Sequence, residues 1–155
     1  MRLTILAICI PTFAGAWEFS PSPLCTLTHQ SDRTRVQITH DPSIAEYRMV
    51  VTLRTGSWAP SKSFGIAFQG GRPLTIGTDR HEIDDSTLTV ADTGFSNVLK
   101  GLEFNQLAIA FTTSQSLELN LTGAAPEVRK FRSCALQGPP MTTHVPAARS
   151  MAAIA

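Results

Sequence analysis

The residues best equipped for chemistry sit together in Thr78-Asp79-Arg80-His81-Glu82-Ile83-Asp84-Asp85-Ser86. Carboxylates beside an Arg and a His can hold a divalent cation or act as an acid–base pair. A calcium loop, however, sets its oxygen ligands at fixed offsets around a glycine. No Gly lies between Asp79 and Ser86, so no metal site is expected. The plainer expectation is a solvated connection between strands. In that case Asp79, Arg80, His81, Asp84 and Asp85 form a surface for a ligand or partner.

Other constellations are thinner. Trp17, Phe19 and Trp58 fall outside the expected regular strands. Aromatics on loops serve as binding platforms or plug the open ends of a small sandwich. The first role adds Trp17 and Trp58 to the candidate surface. His29 and His40 flank the turn signal Ser31-Asp32-Arg33. A tight turn there puts them at opposite ends of a hairpin, more than about 10 Å apart at ~3.3 Å per residue, too far to share a metal. The chain has no Gly-x-Ser-x-Gly nucleophile elbow, no Gly-x-Gly-x-x-Gly and no P-loop. It also lacks the His-x-Glu with Cys-x-x-Cys of zinc deaminases. No catalytic residue and no cofactor are assigned. Asn120-Leu121-Thr122 matches a glycosylation sequon inside an expected strand.

The elements that must position these groups follow from periodicity. Residues 24–29 and 35–40 alternate as two strands of a hairpin. Tyr47, Met49, Val51 and Leu53 share one face of the next strand, and Phe64, Ile66 and Phe68 repeat the period of two. Residues 74–78 and 87–90 predict two short strands around the polar stretch, and residues 107–111 and 117–121 two more. Between them, Phe95, Val98, Leu99 and Leu102 have helical spacing, with Asp92 or Thr93 as the expected N-cap. Residues 124–134 predict a second short helix with Pro126 in its first turn. The expected fold is mainly β: a single small antiparallel β-sandwich or partly open barrel with two short helices.

The N-terminus addresses the compartment. Arg2 precedes an apolar run from Leu3 to Phe13 that is too short to span a bilayer, and Ala14-Gly15-Ala16 matches a signal-peptidase site. Residues 1–16 therefore read as a signal peptide, residues 17–136 as the β-rich domain, and residues 137–155 as a disordered tail that includes His144. Removing residues 1–16 takes away Cys9 and one basic residue, which leaves acidic and basic side chains balanced. Nothing supports nucleic-acid binding, and no membrane span is expected in the mature chain. Cys25 and Cys134 remain as an even pair in an oxidising compartment, so they are expected to be bonded.

Several segments taken together resemble a known set of chains: Trp17-Glu18-Phe19, Leu24-Cys25-Thr26-Leu27-Thr28-His29, Thr78-Asp79-Arg80-His81, Asp92-Thr93-Gly94-Phe95-Ser96-Asn97-Val98-Leu99 and Phe131-Arg132-Ser133-Cys134. They resemble small uncharacterised exported proteins of marine alphaproteobacteria. The layout and the Phe-x-x-Cys are also similar to the invasion-associated locus B family of periplasmic β-sandwich proteins. The resemblance implies export and carries no catalytic residue. The expectation is a noncatalytic periplasmic or secreted protein that binds an envelope partner or a small ligand. The alternative is a small secreted hydrolase built on Asp79 and His81, which requires those side chains to converge with a neighbouring carboxylate.

Overall fold

The computed structural model describes residues 16–137. Apart from Ala16 and Gln137, the expected signal peptide and the expected tail lie outside them. Gln137 is helical.

Among the described residues, ten strands form two antiparallel sheets that do not close into a barrel. The larger sheet contains β1 (Trp17–Ser20), β2 (Cys25–Gln30), β3 (Thr34–Asp41), β4 (Glu46–Leu53), β7 (His81–Asp84) and β8 (Thr87–Asp92). Their order is β1-β2-β3-β4-β8-β7. The smaller sheet contains β5 (Phe64–Gln69), β6 (Leu74–Thr78), β9 (Leu107–Thr112) and β10 (Ser116–Asn120), in the order β10-β9-β5-β6. Helix α1 (Ser96–Phe104) joins β8 to β9, and α2 (Ala124–Gln137) follows β10.

Alternation sets the faces, because successive side chains in a strand point to opposite sides. Leu27 pairs with Ile38, Ile38 with Met49, and Met49 with Val90, so one apolar row crosses four strands of the larger sheet. Ile66 pairs with Ala110 and with Ile76 on the smaller sheet. These inward rows share one core with Val98, Leu99 and Leu102 of α1 and Val128 and Phe131 of α2. The Ser31-Asp32-Arg33 turn forms as expected, with the Thr34 amide donating to Ser31 Oγ at 3.2 Å. Register pairs Cys25 with His40 and His29 with Val36, so the two histidines do sit at opposite ends of the hairpin.

Three local expectations need correction. Residues 17–20 are a strand, β1, not an irregular lead-in: its backbone completes the sheet edge against β2. The polar stretch 79–86 is not simply a loop, because residues 81–84 form β7 against β8. The N-cap of α1 is Phe95, which provides no side-chain hydrogen bond; Asp92 Oδ1 instead accepts from the Thr93 amide at 2.7 Å.

The helices tie the molecule together. The Cys25–Cys134 disulfide joins β2 to α2, with Cα atoms 5.9 Å apart. The Phe19 amide donates to Glu127 of α2 at 3.0 Å, which fixes β1 to the same helix. Glu103 at the end of α1 is nearly buried and meets Arg132 at 2.7 Å and Arg129 at 3.6 Å, so it pins the two helices to each other.

Candidate functional site

Each residue of the expected surface has a definite place, and the residues do not form one patch. Trp17 is only 6% exposed and Trp58 only 4%. The Trp17 indole stacks on His29 with ring centroids 4.7 Å apart, and its Nε1 donates to the Asn120 carbonyl at 2.9 Å. That bond links the β1 edge to the β10 edge and closes one side of the sandwich. Trp58 Nε1 donates to the Val51 carbonyl at 3.2 Å. Both indoles plug the core, and neither belongs to a binding surface. The reason is the size of the aromatic body: burying it outweighs leaving it wet, provided its one N–H finds an acceptor.

The acidic stretch divides in the same way. His81 and Ile83 of β7 face inward, while Glu82 and Asp84 face solvent. His81 Nε2 lies 3.0 Å from the Ser61 carbonyl, and its ring is 6.2 Å from that of Phe64. Asp85 occupies the tight turn between β7 and β8 with φ at 50°, a conformation that Asp tolerates better than most residues. Its carbonyl accepts from the Trp58 amide at 2.9 Å. Asp85 is thus a turn residue that anchors the Trp58 loop. Asp79 is exposed, and among the described residues no carboxylate is hydrogen-bonded to His81. The convergence that the hydrolase alternative requires is not assembled. No group of three metal-ligating side chains occurs among the described residues.

Arg80 is different. It lies in the link from β6 to β7 and pairs with Asp92 at the end of β8. This ion pair ties the link between β6 and β7 to the end of β8, near the β7 edge of the larger sheet. Beneath it lies a cavity of about 120 Å³, open to solvent on one side. Met49, Phe64, Ile66, Ile76, Val90 and Val98 supply its apolar side, and polar atoms make up a comparable share of its accessible lining. Thr78, Arg80 and Asp92 are the polar groups at its mouth, and Phe95 bounds it toward α1. The side chains come from β4, β5, β6, β8 and α1, so the space is where two sheets and a helix meet without filling the gap.

The mouth is electrically balanced. The Arg80 side chain is 71% exposed and gives one hydrogen bond, from Nη2 to Asp92 Oδ2. Asp92 is more engaged: Oδ2 accepts from Arg80 and Oδ1 from the Thr93 amide. An exposed pair of this kind adds little stability, roughly 0–1 kcal/mol. A wider depression of about 280 Å³ lies beyond Phe95, between Tyr47, Leu99, Arg132 and Leu136. The Tyr47 ring stacks on Phe95 at 5.5 Å and separates it from the apolar cavity.

Of the expected site residues, only Arg80 reaches this cavity. The residues that matter most, Ile76, Val90 and Val98, carry no chemical signature. Val98 has helical apolar spacing, while Ile76 and Val90 fall in two short expected strands, and nothing in the sequence told core from cavity wall. Comparison of the chain with known protein families, curated proteins and solved structures found no match.

Proposed function

We propose that this is an exported, noncatalytic binding protein of an oxidising compartment, and that the cavity under Arg80–Asp92 holds its ligand. The observation that carries the reading is an open pocket between the sheets, apolar on the side of Ile76, Val90 and Val98 and flanked by the charged pair Arg80–Asp92. Were such a volume closed and dry, leaving it unfilled would cost on the order of 3 kcal/mol at ~24 cal/mol per Å³. Pockets that serve ligands combine apolar side chains with a few placed polar groups, and both are present here. Export is supported by the Ala14-Gly15-Ala16 cleavage pattern after an apolar run and by the bonded Cys25–Cys134 pair, since structural disulfides persist outside reducing cytosol.

The test is a fragment screen by NMR on the oxidised secreted protein, with the methyl signals of Ile76, Val90 and Val98 as reporters. Fragments should shift these signals in the wild type. They should fail to do so in Val98→Phe, whose larger side chain takes up the space. A screen in which no fragment moves these methyls removes the ligand-binding reading. Purification from the native host followed by native mass spectrometry then decides whether a protein partner is carried instead.

A further inference from the structure

We infer that the cavity selects an uncharged molecule about the size of a six-membered ring that bears one hydrogen-bond acceptor, with the ring among Ile76, Val90 and Val98 and the acceptor on Arg80. The inference rests on the ligand-binding reading above and makes it specific in size, charge and polarity.

Size comes from the volume. A dry apolar cavity of roughly 150 Å³ is enough to take benzene. The cavity here is about 120 Å³ and open on one side, so it admits one ring or a short branched hydrocarbon whose substituent leads out through the mouth. A long acyl chain exceeds this volume, and the Phe95 ring, stacked on Tyr47, stands between the cavity and the wider depression beyond it.

Charge comes from the mouth. Arg80 and Asp92 are the charged residues that line the cavity, and they neutralise each other. A carboxylate entering beside Asp92 leaves the mouth with net negative charge, and an ammonium entering beside Arg80 leaves it net positive. Either ion also loses hydration on entering the apolar walls, a cost that an uncharged molecule does not bear.

Polarity comes from unused donors. A guanidinium carries five N–H groups, and among the described residues Arg80 uses one, on Asp92. Asp92 already accepts from both Arg80 and the Thr93 amide. The mouth therefore has donors to spare, and a carbonyl or ether oxygen at the edge of the ring can take one without breaking the ion pair.

Four ring compounds separate these claims: toluene, benzamide, benzoate and benzylamine, each titrated into the oxidised protein and followed at the Ile76, Val90 and Val98 methyls. Benzamide is expected to bind tightest, about tenfold better than toluene, because of its hydrogen bond to a charged donor. Benzoate and benzylamine should be weaker than benzamide. In Arg80→Met the advantage of benzamide over toluene should disappear; Arg80 is largely exposed, so this variant is expected to fold. Benzoate or benzylamine binding as tightly as benzamide overturns the charge argument. Benzamide keeping its advantage in Arg80→Met overturns the role of Arg80. If toluene and benzamide both leave the methyls unmoved while other fragments shift them, the size and polarity inference falls and the ligand-binding reading stands. If no fragment of any kind shifts them, that reading falls as well.

Discussion

At the scale of single residues, packing overrides intrinsic preference. Gly101 sits inside α1, where exchange of Gly for Ala normally gains about 0.5–1 kcal/mol. Here an added Cβ would lie 2.4 Å from the ring of fully buried Phe68. Gly101→Ala should therefore destabilise, by about 1–3 kcal/mol, through forced displacement of that ring. Urea unfolding of the two proteins checks the sign, and a gain in stability would show that Phe68 can yield. His29 gives a second residue-scale prediction. Burial against Trp17 lowers its pKa below the ordinary 6.5, and a backbone hydrogen bond with Ala16 only partly offsets this. The unfolded chain then binds a proton first as pH falls, so the contribution of His29 to stability is complete above 6.5 and is lost below it. Unfolding free energy measured between about pH 8 and pH 5 should drop in the wild type and drop less in His29→Gln. Parallel pH curves for the two proteins would assign the effect to other groups.

Elements were legible in the sequence where the apolar period was clean. The alternation of Tyr47, Met49, Val51 and Leu53 and the helical spacing of Val98, Leu99 and Leu102 lead directly to β4 and α1. β7 was hidden because its outward positions are Glu82 and Asp84 and one of its inward positions is His81, so an alternating strand looked like an acidic loop. Such charges suit an edge strand, where they discourage pairing with other chains. β1 was hidden by its length and by the prolines that follow it. The cavity was illegible for a different reason. It depends on how five separate elements fail to meet, and periodicity reports only which way each one faces. Between the two helices, Glu103 meets both Arg132 and Arg129. Glu103→Ala leaves two cations on α2 without their shared partner, and should cost roughly 1–3 kcal/mol and loosen α1 from α2. Glu103→Gln should recover part of the loss. Hydrogen exchange at the α1 amides is the readout, and unchanged protection in the alanine variant would mean that apolar packing alone holds the helices.

For the molecule as a whole, the larger sheet, the smaller sheet and both helices share one core, and the disulfide ties that core near both ends of the domain. Its loop spans a sequence separation of 109, for which the chain-entropy model gives about 4–5 kcal/mol. Against a typical total of about 5–15 kcal/mol, that is a large share. Cys25→Ala should lower the melting temperature clearly, as should reduction of the wild type, and the two effects should not add. Equal melting temperatures with and without reductant would show that the core alone suffices. The same cross-link has a consequence for how damage to the protein is seen. Most of the exposed connections, including residues 54–63 and the Asp79-Arg80 link, fall between Cys25 and Cys134. A protease that cuts any of them leaves two fragments still covalently joined. A clipped population would migrate as one band on a nonreducing gel and separate into two only after a thiol is added, so integrity judged without reductant would overlook any single nick between Cys25 and Cys134.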